Sequence, residues 1–236
     1  MKLYLKGNNK DIYDLENGLY LIKFKDYLKR ADDAGTGGEN PPNEGLWYDS
    51  LRLTAFFFAL LKDEGIPTHF VSADLDKAEL LVLPADKFGE GFGVVCQYRA
   101  VGCFLRRYGI FATEGQMLDA LVEVSLKDDD HRNPPIKQEM LEELGVLNPG
   151  EYDRIIDLTY KVTGVIKKTL DAMEMDLYDI ELEFGRDERG IVVIDEISGR
   201  NMHVYKDGAM IPPRDLAPLI LDPPSEEDEA VEGENQ

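Results

Sequence analysis

The chain of 236 residues is short of several things, and each shortage excludes a class of function. It has two cysteines, Cys96 and Cys103, and three histidines. These are too few and wrongly spaced for a zinc site, and they fit a reducing compartment. No apolar run approaches the length of a membrane span, and residues 1–10 lack the apolar core of a signal peptide. A cytoplasmic location is therefore expected, with no membrane partner. Positive charge is scarce: 26 Lys and Arg stand against 47 Asp and Glu, a formal net charge of −21. That excess repels nucleic acid, which is excluded as a partner. An anionic substrate would need a local basic pocket. No internal repeat is present.

What is present suits a globular enzyme. The chain is long enough for a full core, as one large domain or two closely packed lobes. The first 24 residues read as a hairpin, LYLKG and LYLIKF around the turn residues GNNKD. Residues 25–47 include DDAGTGGENPPNEG, a long loop of a kind that is often functional. Trp47–Glu64 carries a helical stripe, Leu53, Phe56, Phe57, Leu60 and Leu61, stopped by Gly65-Ile66-Pro67. Two short strands follow in Thr68–Pro84, and an apolar strand in Phe92–Tyr98. Arg99, Arg106 and Arg107 come next, the last two reading as helix-surface charges. Glu114–Val124 reads as partly helical, 127–136 as a charged loop, and Lys137–Gly145 as a short helix. The longest helix lies within Gly150–Met175, and a short one near Asp215–Leu221. The acidic end Ser225–Gln236 reads as a disordered tail. This mixture predicts an α+β or mixed α/β fold.

The stretch Asp179–Tyr205 organises the rest. Read with period two, Ile180, Leu182 and Phe184 share one face, and Asp179, Glu181 and Glu183 share the other. GRDERG makes a turn, and Ile191–Ile197 a second strand ending in Asp195-Glu196. Such a carboxylate face can hold Mg²⁺ against a nucleotide triphosphate, the phosphates supplying the remaining ligands. The plainer reading is a solvated edge hairpin.

Six stretches in register, LYLKGNNKDIY, GIPTHFV, YRAVGCFLRRYG, LKDDD, YDIELEFG and DEISGRNMHVYKDG, resemble the SAICAR synthetase family from about Leu3 to about Leu221. The resemblance implies an α+β fold, an antiparallel nucleotide-binding lobe (1–92) packed on a mixed α/β lobe (93–222), with ATP in the cleft and an acidic tail (223–236). It also implies an ATP- and Mg²⁺-dependent ligase of purine biosynthesis. Such an enzyme joins the carboxylate of carboxyaminoimidazole ribotide (CAIR) to L-aspartate, giving an amide, ADP and phosphate. The resemblance admits a homodimer.

By position in the family's motifs, Lys10, Glu183 and Asp195 are expected at ATP, and Glu183 and Asp195 face the metal. Lys127 and Asp179 are expected as catalytic residues. Arg99, Gln97, Cys103 and His203 are expected on the substrate, though Cys103 and His203 also read as a small buried residue and a satisfied histidine. The sequence departs from the family where a cation is usual: Asn8, Gln97, Glu181 and His203 stand in those places, and Cys103 replaces a serine. Three readings stay open on sequence alone: the family ligase, a ligase for an altered substrate, and a binding protein on the same fold.

Overall fold

The structure is a computed structural model that describes residues 1–7, 10–25, 46–88, 91–127 and 133–223. Asn8, the glycine-rich loop around Thr36, and the acidic tail from residue 224 lie outside the described residues.

The first sheet contains β1 (Lys2–Lys6), β2 (Lys10–Asp14), β3 (Tyr20–Phe24), β4 (Phe70–Asp74) and β5 (Glu79–Val82). Their order is β1-β2-β3-β5-β4, and every pairing is antiparallel. The expected two-stranded start is therefore a three-stranded meander. The chain reverses a second time at Leu15–Leu19, where Gly18 adopts φ +82° and the Leu15 N–H donates to the Leu19 carbonyl at 3.0 Å.

The second sheet is built on β9 (Asp176–Asp187), its longest strand. Beside it run β7 (Phe92–Arg99) and β11 (Met202–Lys206), with β8 (Met117–Leu126) and β12 (Ala209–Met210) outside them. Two further strands, β6 (Asp86–Lys87) and β10 (Gly190–Ile194), also pair with β9. All these pairings are antiparallel, so the α+β expectation holds.

Glu114–Val124 is corrected from part-helix to strand. Leu118, Leu121, Val122 and Val124 mimic a helical stripe, but β7 offers an open ladder edge, and pairing to it decides the outcome. The hairpin turn is also tighter than GRDERG suggests. β9 continues through Gly185 to Asp187, leaving Glu188-Arg189 as the reversal. β10 stops at Ile194, so Asp195 lies just beyond the strand rather than within it.

Two long helices build the core over the apolar face of β9, α4 (Glu151–Asp171) against the strand and α1 (Leu46–Asp63) beside α4. α1 buries Leu53, Phe57, Phe58 and Leu61, and α4 buries Ile155, Leu158, Val162, Ile166 and Leu170. They share one core with Ile180, Leu182 and Phe184, the inward row predicted for the strand. Each such side chain contributes about 1.5–3 kcal/mol on burial. A smaller cluster, Leu51 with Ile22, Leu80 and Val82, fastens α1 to the first sheet. The shorter helices are α2 (Gly102–Tyr108), α3 (Gln138–Glu143) and α5 (Pro213–Leu221).

Candidate functional site

With Ile180, Leu182 and Phe184 committed to the core, the pleat turns Glu181 and Glu183 to the opposite face of the sheet. Glu183 is the best-held of these acids. The Lys87 ammonium approaches its Oε2 at 2.8 Å, and Lys127 is bonded to its Oε1. Burial alone would raise the Glu183 carboxyl, but the charges of Lys87 and Lys127 outweigh it and hold the group below the usual carboxylate range. Lys127 also lies 3.7 Å from Glu181. Glu181 occupies the space above Gly93, where an added Cβ would meet its Oε1 at 2.4 Å. A side chain at residue 93 would therefore displace Glu181.

Asp195 reaches the same region from the end of β10. It adopts φ +69°, a left-handed conformation that Asp tolerates better than most residues. The following segment fixes it there. Thr54 of α1 accepts the Ile197 N–H at 3.3 Å, and Asn201 donates to the carbonyls of Glu196 (2.7 Å) and Glu181 (2.9 Å). Lys10, at the start of β2, is ion-paired to the Asp195 carboxylate. Burial pushes the Lys10 ammonium below the usual lysine range, opposed by the Glu196 and Glu183 carboxylates.

Beside these groups lies a cleft of about 640 Å³ between the two sheets, with Glu183, bonded to Lys87 and Lys127, just behind its lining. Lys10, Asp195, Lys87 and Gly7 line it beside the apolar Ile12, Ile22 and Val82 of the first sheet. The connection Leu83-Pro84-Ala85 runs along its edge from β5 to β6. An apolar slot with cations and carboxylates at one end suits a nucleotide: the base takes the slot and the phosphates take the charged end.

A second group of polar residues lies farther along β9. Gln97 of β7, Asp179 of β9 and His203 of β11 are partners in register across three strands. His203 Nδ1 lies 2.6 Å from Asp179 Oδ1. That hydrogen bond raises the His203 pKa above the usual histidine value, against an opposing effect of burial. Gln97 is 2% exposed, and its Oε1 is buried with no hydrogen-bond partner among the described residues. Glu183 and Asp179 are four residues apart, roughly 13 Å along a strand. The face can thus serve a triphosphate end and a second substrate together.

Two expectations from sequence need correction. Cys103 is exposed, not buried: it lies in the first turn of α2, whose inward position is taken by Phe104. Arg107 is more than a surface charge, since it is ion-paired to Glu123 of β8 and its Nε is buried without a hydrogen-bond partner among the described residues. Glu181 has Lys127 beside it. Arg99 is set apart from the acids: it donates to the Gly115 carbonyl at 3.2 Å and lies over the Tyr178 ring.

Sequence reasoning missed Lys87 and His69. Lys87 sits in a two-residue strand that pairs only with β9, and a lone loop lysine carries no periodic signal. Among the described residues, no group of three or more His, Cys, Asp and Glu is arranged to hold a metal. Glu183 and Asp195 still fit Mg²⁺, which binds through one or two carboxylates when phosphates complete its shell.

A model of the SAICAR synthetase family matches residues 3–210. A phosphoribosylaminoimidazole-succinocarboxamide synthase of Clostridium tetani is 48% identical over 227 residues, covering 94% of this chain and all of the relative. The enzyme of that name from Thermotoga maritima is 32% identical over 190 residues, 80% of this chain and 79% of the relative. Among solved structures, a SAICAR synthetase in complex with ADP superposes with a TM-score of 0.75 at 25% identity, covering 98% of this chain and 96% of that one. Another, the SAICAR synthetase TM1243, gives 0.72 at 28% identity, covering 94% and 96%.

Proposed function

The chain belongs to the SAICAR synthetase family, and we propose that the cleft between its sheets is where it carries out that family's ligase reaction. The function is ATP-dependent ligation in purine biosynthesis: the CAIR carboxylate and L-aspartate are joined to give SAICAR, ADP and phosphate. The observation that carries the site assignment is the Lys10–Asp195 pair and Lys87 in the lining of a largely apolar slot, with Glu183 bonded to Lys87 and Lys127 beside it.

A carboxylate is a poor electrophile, so the reaction first needs activation. A CAIR carboxylate oxygen attacks the γ-phosphorus of ATP, ADP leaves, and an acyl phosphate forms. The aspartate amine then attacks the acyl carbon, phosphate leaves with its oxygen, and the amine nitrogen loses a proton. Lys10 and Lys87 orient the phosphates and neutralise their charge. Glu183 and Asp195 would hold Mg²⁺, which supplies charge neutralisation at the transferred phosphoryl group. Lys127, at the junction of Glu181 and Glu183, faces the region where the carboxylates meet. Asp179, oriented by His203, accepts the amine proton. Gln97, Arg99, Cys103 and His203 form the substrate end. In this reading residues 1–92 supply the nucleotide-binding lobe and residues 93–222 the substrate lobe. The location is cytoplasmic, with a homodimer as the assembly.

The test is phosphate release from Mg-ATP. Release that requires both CAIR and L-aspartate, and falls at least about 100-fold in Glu183→Gln, is the expected result. Release without either substrate, or none with both, would refute the reading.

A further inference from the structure

The segment GIPTHFV places His69 just before β4, and its backbone is bonded on both sides. The His69 N–H donates to Val193 at 3.0 Å, and its carbonyl accepts the Leu83 N–H at 2.7 Å. It is thus clamped between β10, which leads to Asp195, and the connection that edges the cleft. The side chain is 6% exposed and lines the cleft, edge-on to Phe58. Its Nε2 is buried with no hydrogen-bond partner among the described residues. Leaving a buried polar atom unpaired is costly, and a leucine or phenylalanine would fill the same space at no such cost. A buried polar side chain kept unpaired in the lining of a binding cleft is explained if the ligand pairs it.

We propose that His69 is a nucleotide-recognition residue, its imidazole completed by a hydrogen-bonding group of the nucleotide bound in the cleft. This rests on the reading of that cleft as the nucleotide site. The imidazole is neutral there: burial, with the charges of Lys10 and Lys87, pushes it down to about 3. A neutral ring offers one donor and one acceptor and adds no charge to the lysines already present.

The test uses the full chain, with ADP as probe. Titration calorimetry compares wild type with His69→Leu and His69→Gln, and thermal unfolding of each is followed without ligand. His69→Leu is expected to bind ADP roughly 3- to 10-fold more weakly while unfolding at the same or a higher temperature than wild type. His69→Gln, which keeps a polar end, should recover part of the affinity. In the wild type labelled at its three histidines, the His69 ring nitrogens should shift on adding ADP. Wild-type ADP affinity in His69→Leu, or an unmoved His69 signal in a protein saturated with ADP, overturns the proposal and leaves the cleft assignment standing. Failure of the wild type to bind ADP overturns both.

Discussion

Lys10 and Asp195 are ion-paired, while the proposed reaction assigns Lys10 to phosphate and Asp195 to the metal. This makes Asp195→Asn a sharp test. Asparagine keeps the shape and is one of the few residues that accept φ +69°, so the backbone has little reason to move. What is lost is the charge. Each side chain of the pair is 23% exposed, between an exposed pair, which contributes about 0–1 kcal/mol, and a buried one, whose breaking costs about 3–5 kcal/mol. We take about 2 kcal/mol, a fall of roughly 4–8 °C in Tm for a chain of this size.

The binding effects have opposite signs with and without metal. A Lys10 freed from Asp195 is available to phosphate, and a charge-assisted hydrogen bond is worth about 1.5–3 kcal/mol, so ADP in the presence of EDTA should bind about tenfold more tightly than to wild type. With Mg²⁺ present the gain should vanish, because a metal ligand is missing. The measurement is ADP calorimetry in both buffers. An unchanged enhancement by Mg²⁺ in the variant would refute Asp195 as a metal ligand. A fall in metal-free affinity would refute the idea that the pair competes with phosphate.

Two further expectations concern the scaffold of the site. His203 has a folded pKa above its unfolded value of about 6.5, so the stability from its bond to Asp179 is complete below that pH and is lost as pH rises through the folded value. Because the side chain is half exposed, the difference between wild type and His203→Gln should stay under about 1 kcal/mol and shrink from pH ~6 to pH ~9 in urea unfolding; a difference that grows with pH contradicts the assignment. A Cβ at Gly199 would lie 2.6 Å from the Pro213 carbonyl oxygen and 2.9 Å from its Cα, so Gly199→Ala must move α5 or the Asp195–Asn201 segment and should cost about 1–3 kcal/mol. Gly164→Ala, mid-helix in α4 with open space around it, is the control and should stabilise by about 0.5–1 kcal/mol.

How much of this was legible in the sequence depended on the range of the interaction. The alternation in β9, the stripe of α1 and the long helix within Gly150–Met175 are local patterns, and each came out as read. β8 did not, because its spacing is compatible with a helix and only the distant β7 settles it. The three-stranded start was missed although Asn17-Gly18 is a hairpin-turn signal: Glu16 and Gly18 both take positive φ there, and the Asp14 and Asn17 side chains cap the turn. At the site, Glu183, Asp195 and Lys10 were legible through the family's motifs. Lys87, His69 and the Arg107–Glu123 pair were not, since each acquires its meaning from a residue far along the chain.

The missing cations show the same limit more sharply. Read as a string, Gln97, Glu181 and His203 subtract three positive charges from a site proposed to hold phosphate and carboxylate. Folded, the site recovers much of that charge. Lys87 and Lys127 converge on Glu183, Lys127 extends to Glu181, and His203 is held towards its cationic form by Asp179. Gly93 belongs to the same arrangement, since any larger residue there would force Glu181 from its place beside Lys127. What a binding site must conserve is the local field at the phosphates, not the chain positions that create it. A reversed charge at one residue is therefore weak evidence of lost activity until the neighbours across the sheet are known. Here those neighbours are lysines.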